Sequence, residues 1–208
     1  AVKARIRGEV SALSARGVTV GLAVIIVGEN PASKIYVANK KKACEALGIV
    51  SEEYALPEST TEQELLELIN TLNNKKSING ILCQLPLPPH LDEKLIINSI
   101  APEKDVDAFN PYSVGRIMIG EYDFVPCTPA GIMEMLKYED IEISGKSCVV
   151  IGRSNIVGKP MAMLLLHANG TVTVCHSKTK NLKEICRNAD ILVAAVGKAK
   201  FVTEDMVK

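Results

Sequence analysis

Tyr36 and Lys40 form the first pair of side chains whose types and spacing could do chemistry. Residues four apart lie on one face of a helix, so the phenol and the ammonium could point into one cleft. A lysine charge favours the phenolate form of a neighbouring tyrosine, and a desolvated lysine can lose its proton near neutral pH. The pair therefore predicts proton handling. The alternative interpretation is a half-buried ring beside a solvated charge.

A second candidate group follows a buried apolar run, where Cys83, Gln84 and Leu85 precede Pro86. Ligands of open α/β sheets bind outside the carboxyl ends of the strands, which makes this segment a candidate binding rim. The Gln84 amide offers one acceptor and two donors there. Further along, the Asp107 carboxylate suits a planar heterocycle with two adjacent N–H donors. A surface glutamine and a turn-capping aspartate are the alternatives.

A glycine loop at residues 152–158 separates a predicted strand from a predicted helix. Dinucleotide-binding units have this layout, because the helix N-terminus binds a pyrophosphate. The loop departs from the usual pattern, since Ser154 replaces the middle glycine and the last glycine is shifted by one. Gly152, Arg153 and Ser154 are therefore candidate cofactor ligands, and a tight turn without a ligand is the alternative.

The end of the next predicted strand indicates which dinucleotide the loop would bind. NAD-binding units usually carry an acidic residue about 20 residues past the loop, which holds the ribose hydroxyls. This chain has Cys175-His176-Ser177-Lys178 there, without a carboxylate. An imidazole, a hydroxyl and an ammonium attract a 2′-phosphate, and Arg153 could reach it from the loop. His176 and Ser177 therefore predict NADP rather than NAD. The alternative is that His176 and Lys178 lie in solvent.

Composition narrows the class of protein. The 208 residues include 24 basic and 24 acidic side chains, so the formal net charge is zero. No stripe of basic residues is present that would indicate a nucleic-acid partner. The longest apolar run is far shorter than the roughly 18 residues of a membrane span, and no signal peptide is recognisable. Six scattered cysteines without a C-x-x-C pair predict reduced, mostly buried thiols in a cytoplasmic protein, with no metal site. We expect the natural chain to begin before residue 1, because residues 1–16 resemble a helix already under way.

Two series of alternating strand and helix patterns must position these residues. Strands are predicted at residues 20–27, 49–56, 78–85, 147–151, 171–175 and 191–196. Helices are predicted at residues 33–47, from 60 or 61 onwards, and at 91–100, 128–137, 157–168 and 181–188, with an irregular segment at 111–122.

This alternation predicts an α/β fold with two lobes, each a mainly parallel sheet with flanking helices. The first lobe is expected to cover residues 1–120. The second, a Rossmann-like dinucleotide-binding domain, is expected to cover residues 121–208. Because its series stops after three strands, we expect its C-terminal part to be missing.

Together these segments closely resemble the bifunctional methylenetetrahydrofolate dehydrogenase/cyclohydrolase family. The matching segments, in family order, are residues 27–33, Tyr36-x-x-x-Lys40-x-x-x-Cys44, residues 84–88, Pro102-x-Lys104-Asp105-Val106-Asp107, Pro126-Cys127-Thr128-Pro129-x-Gly131, Gly152-Arg153-Ser154-x-x-Val157-Gly158-x-Pro160 and Cys175-His176-Ser177. The combination is highly specific, although each segment alone is not.

The resemblance implies NADP-dependent oxidation of 5,10-methylenetetrahydrofolate and hydrolysis of the 5,10-methenyl product to 10-formyltetrahydrofolate in one cleft. It implies that Lys40 is the key residue of hydrolysis, supported by Gln84, while Tyr36 orients the folate and Asp107 grips the pterin. By the same resemblance Arg153, Ser154 and Ser177 bind the phosphates of NADP.

The resemblance also implies a homodimer and a chain that continues well beyond Lys208. One departure from the family is Ala108, which stands where glycine is common and is expected to shift the folate loop slightly. Three other interpretations stay open: a short-chain dehydrogenase, a monofunctional methylenetetrahydrofolate dehydrogenase and a catalytically silent nucleotide-binding module. The first is disfavoured because short-chain dehydrogenases carry their Tyr-x-x-x-Lys pair downstream of the glycine loop, whereas in this chain the pair lies upstream of it.

Overall fold

The computed structural model describes residues 2–208 and divides into two compact units. The first unit ends at Val106, and the second runs from Asp107 to Lys208. Each contains one three-stranded parallel sheet flanked by helices, which confirms the predicted α/β class. Within the described residues, none of the helices combines the length and apolar character that crossing a bilayer requires.

The first unit is built around a central buried strand. Its elements are α1 (Val2–Ala15), β1 (Gly21–Val27), α2 (Pro31–Leu47), β2 (Val50–Leu56), α3 (Glu62–Asn74), β3 (Gly80–Cys83) and α4 (Glu93–Ser99), followed by a 3₁₀ turn at Pro102–Lys104. The strand order is β2-β1-β3, so β1 lies in the middle. Ile25 packs against the α3 and α4 side of the sheet and Ile26 against the α2 side. Burial on both faces explains the continuous apolar run that predicted this strand.

Local capping signals fix the two helices that flank the first sheet. The Asn30 side chain accepts a hydrogen bond from Ser33 N, and Gly48 ends α2 in the left-handed conformation with φ 81°. Thr61 and Glu64 form a reciprocal capping box at the start of α3, as the sequence predicts.

The second unit repeats this arrangement. Its elements are α5 (Pro111–Ile119), α6 (Cys127–Tyr138), β4 (Ser147–Ile151), α7 (Gly158–His167), β5 (Thr171–Cys175), α8 (Leu182–Arg187) and β6 (Ile191–Ala194), followed by a 3₁₀ turn at Glu204–Met206. The strand order is β5-β4-β6. In both units the chain goes from the central strand to one side and then crosses to the other. A topological switch point therefore lies between β1 and β3, and another between β4 and β6.

Two predictions for the second unit are wrong. Residues 111–122 are not irregular, because α5 lies there with Asn110 as its N-cap and Gly120 in the left-handed conformation at its end. Helix α6 begins at Cys127, and Thr128 is not its cap. Helix α5 packs on α7 and lies in the second unit, while the boundary at residues 120/121 stays a prediction.

Candidate functional site

Lys40 and Gln84 meet across the switch point of the first unit. The Lys40 Nζ donates a hydrogen bond of 2.9 Å to Gln84 Oε1. Helix α2 carries the lysine, whereas Gln84 follows β3 and is tied to the central strand by a 2.8 Å bond from its backbone N–H to Ile25 O. The two residues are 44 positions apart in sequence, so only the crossover of the sheet brings them together.

A further bond orients the Gln84 side chain. Its Nε2 donates to Leu85 O at 2.8 Å, which directs Oε1 toward the lysine. The Lys40 ammonium has three donors, and this acceptor fixes the direction of one of them. The pair can therefore hold an amine in one orientation at the carboxyl edge of the sheet, where a ligand of this fold binds.

Tyr36, Cys83 and Asp107 are also predicted to contact the folate, and they differ in how exposed they are. Tyr36 lies one turn before Lys40 on α2, and 61% of its surface is exposed, which leaves a ring face open for stacking. The Cys83 side chain packs in the core beside β1, so any contact of Cys83 with a ligand falls to its backbone. Asp107 belongs to the second unit and is half-buried.

Two glycines of the loop in the second unit lie too close to neighbouring backbone atoms to carry a side chain. Gly152 has φ 126°, and a Cβ added there would lie 2.3 Å from Ala195 O. A Cβ at Gly158 would lie 2.3 Å from Gly152 O. Both positions therefore require glycine, and the loop leads directly into the N-terminus of α7. The approach to Ala195, which directly follows β6, could not be predicted because nothing local in the sequence marks it.

Ser154 organises this loop. Its Oγ accepts hydrogen bonds from the backbone N–H groups of Val157 and Gly158, both at 3.2 Å. These bonds occupy the acceptor positions of the hydroxyl and leave its proton free to donate to a phosphate oxygen. Arg153 is exposed beside it. The hydroxyl and the guanidinium fit a dinucleotide pyrophosphate at the positive end of the α7 dipole, while Gly158 N and Lys159 N already bond to Ser154.

The end of β5 lies beside this loop, because Gly152 N donates to Cys175 O at 2.8 Å. A tight turn follows, in which His176 N donates to Thr179 Oγ1 at 2.8 Å and His176 Nδ1 accepts from Lys178 N at 3.2 Å. Ser177 is exposed on this turn. Hydroxyl and basic groups therefore stand where an NAD-binding unit has a carboxylate. The role of Thr179 as turn anchor was missed, although a threonine after this turn is a recognisable signal.

A cavity in the first unit does not coincide with the Lys40–Gln84 pair. It encloses about 590 Å³ and lies on the β2 side of α2, against Lys34, Lys41 and Glu53. Neither Tyr36 nor Lys40 lines it. The hydrogen-bonded pair at the strand ends is the better candidate, since ligands of open α/β sheets bind at the carboxyl edge of the sheet.

Comparison with known proteins also divides the chain into two domains. Residues 1–107 match the tetrahydrofolate dehydrogenase/cyclohydrolase catalytic domain, and residues 126–208 match the NAD(P)-binding domain of the same family. The bifunctional protein FolD of Ruminiclostridium cellulolyticum is 58% identical over 207 residues, which cover 100% of this chain and 73% of that relative.

Two solved structures have the same fold. The bifunctional FolD enzyme of Campylobacter jejuni superimposes with a TM-score of 0.96 at 50% identity, covering 100% of this chain and 74% of that one. The Trypanosoma brucei methylenetetrahydrofolate dehydrogenase-cyclohydrolase, solved with NADP cofactor and an inhibitor, gives a TM-score of 0.94 at 38% identity and covers 100% and 72%. The chain belongs to the tetrahydrofolate dehydrogenase/cyclohydrolase family.

Proposed function

We propose that this protein oxidises 5,10-methylenetetrahydrofolate with NADP and hydrolyses the resulting 5,10-methenyl compound to 10-formyltetrahydrofolate. The Lys40–Gln84 hydrogen bond of 2.9 Å carries this proposal, because it presents an amine at the carboxyl edge of a parallel sheet. Family membership supplies the reaction class, and the pair supplies the group that can move a proton.

Lys40 assists the hydrolytic step as a general base. The methenyl compound is a cation, and its methenyl carbon is the electrophile that water attacks. The amine takes a proton from water as the water oxygen bonds to the methenyl carbon, and return of a proton to the ring nitrogen accompanies cleavage of its carbon–nitrogen bond. Gln84 accepts from the amine and keeps its lone pair oriented, while the exposed Tyr36 ring stacks on the folate.

The backbone around Cys83 and Leu85 belongs to the folate site of the first unit in this proposal, and the family resemblance assigns the Asp107 carboxylate to the pterin. A carboxylate that accepts two parallel N–H bonds selects the pterin ring over molecules without that donor pair. Bidentate contacts of this kind give orientation as well as affinity, because two bonds fix the plane of the ring.

The second unit holds the cofactor through its own donors. When bound, NADP supplies the nicotinamide carbon that accepts a hydride from the methylene carbon. The Ser154 hydroxyl, at the positive end of the α7 dipole, binds the pyrophosphate, while Arg153, His176 and Ser177 surround the 2′-phosphate. The absence of a carboxylate in the turn at residues 176–179 favours NADP, as does the NADP complex of the Trypanosoma brucei relative.

A carboxylate introduced at Ser177 tests this cofactor assignment. We expect wild-type protein to oxidise methylenetetrahydrofolate with a lower KM for NADP than for NAD. Ser177→Asp should raise the KM for NADP by about tenfold or more, because a lost charge-assisted bond and a new repulsion act together. Ser177→Ala is the matched control and should have a smaller effect. A wild-type preference for NAD, or equal effects of Asp and Ala, would contradict the assignment.

The homodimer and the cytoplasmic location belong to this proposal through family resemblance alone. Light scattering on the purified protein should give about twice the chain mass of 22.4 kDa. A single-chain mass at micromolar concentration would contradict the dimer.

A further inference from the structure

The short segment from Ala101 to Val106 leads into Asp107 and is fixed to α3 by a lysine. Lys104 Nζ donates to the backbone oxygens of Leu72 and Lys75, both at 3.0 Å. These carbonyls lie at the C-terminal end of α3, where Leu72 O also accepts from Lys75 N at 3.2 Å and Lys75 O from Ile78 N at 3.1 Å, so the lysine adds a second donor to each. A lysine charge is also favourable there because it complements the negative end of the helix dipole.

Asn73 makes an independent attachment at the start of the same segment. Its Oδ1 accepts a bond of 3.0 Å from Ala101 N, and its Nδ2 donates to Ser99 O at 2.8 Å. The end of α4 and the beginning of the 3₁₀ turn are therefore tied to one side chain of α3.

Strand β3 holds the far end of the segment. Asp105 forms a parallel bridge with Ile81 and is only 2% exposed. Val106 lies directly on Gly80, since a Cβ added at Gly80 would come within 2.4 Å of Val106 Cγ1. The backbone is thus fixed up to the residue that precedes Asp107, by contacts from α3 and from β3.

We propose that Lys104 is a positioning residue for folate binding, acting through the backbone that delivers Asp107. This inference rests on the proposed function, in which Asp107 accepts the pterin N–H donors. Lys104 itself bonds α3 carbonyls and touches no substrate. Bidentate recognition tolerates little displacement, and a shift of about 1 Å can cost up to about 100-fold in activity. The binding of NADP depends on other residues and is unaffected.

Steady-state kinetics of three lysine variants test the inference. Lys104→Met keeps the aliphatic stem and removes the donors. We expect it to raise the KM for methylenetetrahydrofolate by about tenfold, with kcat and the KM for NADP within about twofold of wild type. Lys104→Arg restores the charge and donors and should recover part of the loss. Lys76→Met, at an exposed lysine just after α3, is the matched control and should leave all three constants unchanged.

A merely structural role predicts a different pattern. If Lys104 only stabilised the fold, Lys104→Met would lower the amount of active protein and hence the apparent kcat, with KM unchanged, and that result would overturn the inference. Should Lys104→Met not fold, Asn73→Ala decides: a raised folate KM supports the inference, and an unchanged KM overturns it. Wild-type turnover separates the proposed function from the inference about Lys104. If the wild type is active and the variants have an unaltered KM for methylenetetrahydrofolate, only the inference about Lys104 is refuted. Inactive wild type refutes both.

Discussion

The Lys40 amine is oriented by Gln84, a residue 44 positions away in sequence. The spacing of Tyr36 and Lys40 predicts a shared helix face, and both lie on α2 as expected. The contact with Gln84 Oε1 depends on the crossover between β1 and β3, which no local pattern specifies. Sequence therefore predicted the candidate residues, whereas the pairing required the tertiary structure. The same holds for Lys104, whose partners are backbone carbonyls and leave no sequence signal.

Ala108 shows how a departure from the family is accommodated. It has φ 55° and is fully buried, so an alanine adopts the left-handed conformation that glycine enters freely. The substitution keeps a glycine-like backbone in the loop after Asp107 instead of replacing it with an extended one. Whether the loop is shifted relative to the family stays a prediction.

Glu52 gives a residue-scale prediction on pH dependence. Lys75 and Tyr54 each donate to its carboxylate at 2.6 Å, and these hydrogen bonds lower the pKa of Glu52 below its ordinary value. A carboxyl whose pKa is lower in the folded chain stabilises it above the unfolded pKa of about 4.3, and this contribution is lost as pH falls through the folded value. We therefore expect wild type to be more stable than Glu52→Gln at pH 7.

Urea unfolding of both proteins across a pH series measures this difference. The gap in unfolding free energy should close once the pH lies below both pKa values. Other carboxyl groups titrate in both proteins, so they cancel in the comparison. A gap that stays constant from pH 7 into the acid range would show that the charge of Glu52 is not responsible.

At the scale of elements, strongly patterned segments were predictable and weakly patterned ones were not. Strand β1 and helices α2 and α3 combine apolar patterning with clear caps, and their predicted positions are confirmed within a few residues. Helix α5 was missed, although Asn110 and Gly120 flank it as cap residues do. Its interior contains Gly115, which lowers helix propensity by about 1 kcal/mol relative to alanine. Packing on α7 provides the compensation that the sequence does not show.

The end of α6 offers an element-scale prediction. Asp140 has φ 51°, while Asp140 N donates to Lys137 O and Ile141 N to Leu136 O, the bonding pattern of a Schellman cap. Glycine is favoured at this position, and a negative charge is unfavourable at a helix C-terminus. We expect Asp140→Gly to raise the free energy of unfolding by about 1 kcal/mol.

Asp140→Ala separates the two causes, since it removes the charge but keeps a side chain at positive φ. In thermal unfolding, the glycine variant should have a higher midpoint temperature than both the alanine variant and the wild type. An alanine variant as stable as the glycine variant would mean that backbone conformation contributes nothing there.

At the scale of the whole molecule, we expect the two units to carry separable tasks. Hydrolysis of supplied methenyltetrahydrofolate needs no dinucleotide, whereas oxidation of methylenetetrahydrofolate does. A Cβ at Gly158 would lie 2.3 Å from Gly152 O and 2.8 Å from Arg153 N. Gly158→Ala should therefore displace the cofactor loop and raise the KM for NADP by about tenfold or more, because misplaced binding groups are costly. Hydrolysis should stay within about twofold of wild type.

Gly131→Ala is the matched control, because a Cβ there meets no atom within 4 Å. It should change neither activity. Loss of hydrolysis in a folded Gly158→Ala protein would argue against the separation of tasks. Circular dichroism and thermal unfolding establish that each variant is folded.

Hydrolysis of methenyltetrahydrofolate by Lys40→Gln tests the central claim most directly. The matched control is Lys41→Gln, since Lys41 is the next residue on α2 and lines the cavity on the β2 side. We expect Lys40→Gln to fold and to lose at least about 100-fold in hydrolysis rate, the lower range for removal of a general base. Lys41→Gln should keep the wild-type rate. A folded Lys40→Gln protein that hydrolyses the methenyl compound as fast as wild type would contradict the account.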